Sequence, residues 1–269
     1  ICMSKEDKKA KRRKKALFYR IGFPLVKLFH GRQKVLYEEA VDPGEPVIFV
    51  ANHAQAFGPI SMIVNFDRTV RPWIAADVMF KETAADFVFV QFFAGNIKKH
   101  KRWNMFKARF VGRALVAIFA NVGGIPVYFD RRLIKTMSDS VAVLEGGEPL
   151  VIFGETPKRF SPYVAEISDG FPQVAHMYYK KTGRRVRFCP VYIAPKYISV
   201  GRATEWNPDA DVKEERRRVA EYLRDNILRL AEALPEHKPI PTYTEEYFAA
   251  IEAKEREKAE QTPAPTETK

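Results

Sequence analysis

The run PVIFVAN at residues 46–52 constrains this chain most, because it is continuous and rich in β-branched and aromatic side chains. A strand with one wet face would alternate, so this one is expected to be buried on both faces, inside a sheet with helices on either side. Further strands are expected at residues 34–37, 71–76 (RPWIAA), 124–129 (GIPVYF), 150–153 (LVIF) and 186–193 (VRFCPVYI). Between them lie helical stretches at 59–65, 84–93, 103–119, 131–145 and 171–181, the last two stopped by Gly146-Gly147 and Gly183. Asp211 and Glu214 have the spacing of a capping box, opening a helix with Val219, Tyr222, Leu223, Ile227, Leu230 and Leu234 on one face. Strands alternating with helices predict an α/β fold, a mostly parallel sheet flanked by helices, over residues 34–235. Residues 236–269 are expected to hold a charged helix at 244–261 and a disordered Pro/Thr/Glu-rich tail from Thr262.

The charge is focused. Residues 1–15 form a basic tail carrying a local +6, and the stretch between Asp86 and Asp130 has no acid and seven positive side chains, against +12 for the whole chain. Such a field suits an anionic partner: a phospholipid surface, nucleic acid, or a phosphorylated substrate with its carrier. Residues 16–33 follow the tail with an aromatic and aliphatic segment interrupted by Arg20, Pro24 and Lys27. It is too short to cross a bilayer, which takes ~20 apolar residues, and is expected to lie in the headgroup layer as an amphipathic membrane-interface helix. No small-residue cleavage pattern follows, so a removable signal is not expected. The chain is therefore expected to be peripheral, on the cytoplasmic face of a membrane. Two cysteines, Cys2 and Cys189, fit a reducing compartment and exclude a disulfide framework.

In a parallel sheet the chemistry gathers in the loops that leave the strands. Those loops supply Asn52-His53, Asp130-Arg131-Arg132, and Glu155 with Lys158 and Arg159. One imidazole among several cations is suited to taking a proton from a hydroxyl while the cations hold a phosphate. The five histidines are dispersed without metal-ligand spacing, and neither nucleotide glycine motif occurs, so no metal and no cofactor are expected. Net charge alone does not make a nucleic-acid binder, and no helix-turn-helix or zinc motif accompanies it.

The order of these motifs resembles the glycerolipid acyltransferase family, the 1-acylglycerol-3-phosphate and related lysophospholipid acyltransferases. Asn52-His53 matches the first family motif. Gly124-Ile125-Pro126-Val127 with Arg131 is similar to the second, Phe153-Gly154-Glu155 to a degraded third, and Pro190-Val191 to the fourth. The resemblance implies a glycerol-3-phosphate acyltransferase-like fold and an O-acyltransferase of phospholipid biosynthesis. On it, His53 removes the proton from the hydroxyl of a lysophospholipid or glycerol phosphate, which attacks the thioester of acyl-CoA or acyl carrier protein, the co-substrate. Arg131, Arg132, Lys158 and Arg159 would hold the acceptor's phosphate. Asn52, Gly124 and Pro190 are the supporting motif positions. Phe57, Phe87, Phe89 and Phe92 are candidates to line an acyl pocket.

One departure bears on the chemistry. The family places an Asp where this chain has Gly58, and that Asp orients the imidazole. Three accounts follow: another acid orients His53, with Glu155 favoured over Asp77 and Asp130; the base works without a carboxylate; or the chain is a catalytically inactive membrane-binding protein of the same fold.

Overall fold

The computed structural model describes residues 23–42, 44–93, 101–156 and 161–243. Its elements run α1 (Phe23–His30), β1 (Lys34–Tyr37), β2 (Val47–Ala51), α2 (Phe57–Val64), β3 (Arg71–Ala75), α3 (Ala76–Met79), α4 (Lys81–Phe93) and α5 (Lys101–Val122). Then follow β4 (Ile125–Val127), α6 (Leu133–Glu145), β5 (Leu150–Ile152), β6 (Glu155–Thr156), β7 (Glu166–Ile167), α7 (Gln173–Thr182), β8 (Arg187–Ala194), β9 (Tyr197–Val200), β10 (Thr204–Glu205) and α8 (Val212–Ala233). The basic tail, the first part of the interface segment, and the helix and tail expected from residue 244 onward lie outside the described residues.

The main sheet has the order β1-β9-β8-β2-β5-β3-β4, with β10 also pairing β8. From β8 to β4 every neighbour is parallel, and only β9 and β10 run against β8. The fold is thus α/β, a mostly parallel sheet flanked by helices. All five residues of β2 are buried, as the continuous run requires. Ile48 and Val50 face a core closed by Met137 and Val141 of α6, Val174 and Tyr178 of α7 and Leu223 and Ile227 of α8. Val47, Phe49 and Ala51 face the other side, against Met62 of α2 and Phe66. That two-residue alternation inside an unbroken apolar run is the physical signature of a strand covered twice.

Helix α8 starts where the capping spacing places it, with the Asp211 carboxylate accepting from the main-chain N–H groups of Lys213 and Glu214. Its first turn also buries Glu215, which is 2% exposed and accepts from the Asn207 N–H at 2.8 Å and from the Arg218 guanidinium at 2.7 Å. Burial alone would raise this carboxyl, but the hydrogen bonds from Arg218 and Asn207 outweigh it and hold the group below its ordinary value. The stability it contributes is therefore complete above the ordinary carboxylate range and is lost as the pH falls through the lower folded value. Glu215→Gln is expected to cost ~1–3 kcal/mol at neutral pH and to flatten the fall in urea midpoint on acidification. An unchanged acid limb in the variant would contradict this assignment.

Candidate active site

His53 follows β2 directly, at the C-terminal edge of the parallel strands. Asn52 fixes the exit of the chain. Its side chain accepts from the Ile193 N–H at 2.7 Å and donates to the Ile193 carbonyl at 3.2 Å, which prolongs the β2–β8 pairing past the strand. The next two residues, Ala54 and Gln55, have φ of 45° and 55°, a left-handed conformation that costs roughly 1–2 kcal/mol for a residue with a Cβ. This turn swings the Gln55 carbonyl back onto the imidazole, 2.5 Å from Nδ1. A carbonyl only accepts, so Nδ1 carries the proton, and in the neutral ring Nε2 holds the free lone pair. Among the described residues nothing bonds that Nε2. The ring is half-buried, lying 5.2 Å from the Phe153 ring.

Glu155 comes beside His53 because β5 neighbours β2, but its carboxylate grips the main chain and not the ring. Oε1 accepts from the His53 N–H at 2.6 Å and from the Thr242 hydroxyl at 2.6 Å, and Oε2 accepts from the Ala165 N–H at 2.6 Å. Among the described residues no carboxylate reaches the imidazole, and the Gln55 carbonyl occupies the orienting position expected of an acid. Thr242 also accepts from the Ala54 N–H at 3.2 Å, and Gln55 donates to the Pro241 carbonyl at 3.3 Å. The segment after α8 therefore crosses the site as a strap, pinned further by Tyr192, whose hydroxyl meets Nε2 of His237 at 2.8 Å. Sequence reading had no access to Thr242, which is 188 positions from the residue it holds.

Gly58, where the resembled family has an Asp, has a steric cause. A Cβ on Gly58 would lie 2.3 Å from the His53 carbonyl oxygen and 2.9 Å from that of Asn52. The first turn of α2 rests on those carbonyls, so only hydrogen fits. Gly58→Asp is accordingly expected to displace the loop and to lower stability by ~1–3 kcal/mol without creating a carboxylate–imidazole pair. A Gly58→Asp protein as stable as wild type and more active would overturn this.

The expected phosphate ligands separate into three groups. Arg131 is exposed at the start of α6, and among the described residues no acid pairs with it. Arg132 is engaged: its guanidinium bonds both oxygens of Asp130 and sits 4.5 Å from the Tyr128 ring. At the helix start Asp130 supplies the anion that two adjacent cations there require. Lys158 and Arg159 lie outside the described residues. Arg131 shares His53's edge of the sheet, but β5 and β3 stand between β2 and β4, a lateral distance of about 14 Å. Gly124 opens β4 against the Ile74 side chain, and Pro190 sits inside β8 opposite Val50.

Other groups are accounted for by packing. Phe89 is buried against Val88 and Ala108, and the Phe57 ring lies 4.3 Å from that of His30, so both have ordinary packing partners. Phe87 is half-buried on α4, and the Phe92 side chain is outside the described residues. Burial pushes the Cys189 thiol up to about 12, which leaves no thiolate to act as nucleophile. A cavity of about 460 Å³ opens at the opposite edge of the sheet, between Asp42, Glu45, Val47, Arg68 and Pro149, away from His53. Among the described residues no cluster of acids, histidines and cysteines has the form of a metal site, and no helix is long and apolar enough to cross a membrane.

No family model matches the chain, and no curated protein matches it. Five chains of solved structures do. One is the 1-acyl-sn-glycerophosphate (LPA) acyltransferase PlsC from Thermotoga maritima, at 13% identity, with 87% of this chain and 86% of that chain covered and a TM-score of 0.47. A likeness of that strength decides nothing about chemistry, which here rests on His53 and its surroundings.

Proposed function

We propose that the protein is an O-acyltransferase that moves a fatty acyl group from acyl-CoA or acyl carrier protein to the hydroxyl of a lysophospholipid or glycerol phosphate. It would work in phospholipid biosynthesis, peripherally at the cytoplasmic face of a membrane with an anionic surface, and need no further cofactor. The observation that carries this reading is the imidazole at the strand edge with its proton fixed on Nδ1 and Nε2 unoccupied. Nε2 would take the proton of the acceptor hydroxyl as its oxygen attacks the thioester carbon. The carbon–sulfur bond then breaks, and the departing thiolate recovers the proton from the imidazolium. No acyl-enzyme is required. The unpaired Arg131 guanidinium supports a phosphate-bearing acceptor approaching from the β4 side, as does the order of the four motifs.

Labelled acyl-CoA and lysophosphatidate, incubated with full-length protein, test the reaction. The expected result is a diacyl product, its yield dependent on His53. Lack of transfer to any lysophospholipid or to glycerol phosphate, from either donor, would favour the inactive membrane-binding reading, whose particular support is Gly58.

A further inference from the structure

Helix α5 turns large aromatic side chains to solvent. Along its first three turns the buried positions are Asn104, Ala108 and Gly112, spaced four apart, while Val122 is buried at its end and Met105 and Leu115 pack partly buried against Val88, Phe89 and Ala108. Gly112 packs so closely on α4 that a Cβ there would lie 3.0 Å from the backbone of Ala84. The outward positions are large and apolar. Trp103, Phe106 and Phe110 are 58%, 62% and 73% exposed, and at ~100° per residue they fall on one stripe that Ala114 and Ala117 continue. Arg102, Arg109 and Arg113 flank the stripe on one side and Lys107 on the other, its ammonium 5.7 Å from the Trp103 ring. Among the described residues none of these four cations has an acidic partner, and no acid occurs between Asp86 and Asp130 to supply one nearby in sequence.

The topology places this stripe beyond the candidate site. A helix joining parallel neighbours runs from their C-terminal edge back to the N-terminal edge. The end of α5 is anchored at that N-terminal edge, where Gly123 accepts from Arg71 at the start of β3. At 22 residues the helix is about 33 Å long, whereas β3 and β4 extend only ~10–17 Å. At the C-terminal edge Phe80 meets Tyr128, and Gly112 is level with Ala84 just past that point. Residues 101–111 therefore overhang the edge that carries His53. Phe129, Leu133 and Ile134 are exposed on the same edge at 88%, 37% and 64%.

We propose that the overhanging first half of α5 inserts Trp103, Phe106 and Phe110 into an anionic phospholipid bilayer, with Arg102, Lys107, Arg109 and Arg113 at the headgroups. Apolar area and cationic charge presented together by one helix face are what an anionic interface rewards and water does not. The contact is separate from the expected interface segment at residues 16–33. It does not depend on acyl transfer, and it would seat the His53 edge against the surface from which a lipid acceptor comes.

Full-length protein bound to phosphatidylglycerol-containing vesicles tests the proposal through Trp103. The chain has three tryptophans, and subtracting the emission of a Trp103→Phe variant removes Trp73 and Trp206. Lipids brominated near the headgroup end of the acyl chain are expected to quench the Trp103 component. Phe106→Asp/Phe110→Asp is expected to weaken vesicle binding by at least ~tenfold while leaving transfer to a short-chain, water-soluble acceptor unaffected. His53→Ala is expected to bind vesicles as wild type does, so failure of the catalytic reading and failure of this one are separable. Unquenched Trp103 in vesicle-bound protein, absence of vesicle binding, or a Phe110-dependent dimer with no quenching would each overturn it.

Discussion

His53→Ala is expected to lower kcat for acyl transfer by ~10²–10⁴-fold, the usual worth of a general base, with little change in KM or in thermal stability. The ring's described contacts are the Gln55 carbonyl and the Phe153 ring, so its removal leaves the fold's core untouched. The main-chain N–H of His53, which Glu155 holds, survives the substitution. Steady-state kinetics and thermal unfolding of the two proteins measure both. A variant with wild-type kcat would remove His53 from the mechanism.

Glu155→Gln should behave differently. The carboxylate accepts three hydrogen bonds through its two oxygens, from the N–H groups of His53 and Ala165 and the hydroxyl of Thr242. An amide must turn its NH₂ toward one of the two backbone donors, leaving that N–H unsatisfied beside a second donor. The expected cost is roughly 2–4 kcal/mol, seen as a lower Tm. Activity should fall with it, because the loop that carries the imidazole and the strap that covers the loop are fastened to the same group. Thermal unfolding and turnover measured on one preparation decide the matter. Lost turnover with an unchanged Tm would mean that Glu155 works on the ring or the substrate and not as the anchor of the loop.

The parallel strands were legible because burial on both faces leaves no room for polar positions, which is why β2 and β5 stand out as unbroken apolar runs. The short β6–β7 pair and the return strand β9 were not, since their pairing is set by partners distant in sequence. Of the site, Asn52 and His53 could be found from their place at the end of a buried strand. The orienting group could not, because it is a backbone carbonyl, delivered by left-handed residues that are neither glycine nor asparagine. Arg132 looked like a free cation, yet Asp130 two residues earlier neutralises it. The aromatic residues of α5 show helical spacing in the sequence, but spacing does not say whether the apolar stripe points in or out. Only the burial of positions 104, 108 and 112, with Ala108 against Val88 and Gly112 against Ala84 of α4, decides that.

The tautomer of His53 tests the account most directly. Nitrogen-15 spectra of labelled full-length protein, assigned by comparison with His53→Ala, should show the neutral ring with its proton on Nδ1 and a non-protonated Nε2. A neutral ring with the proton on Nε2 would contradict the account, since the nitrogen that the Gln55 carbonyl leaves unoccupied would then have no lone pair with which to activate a hydroxyl.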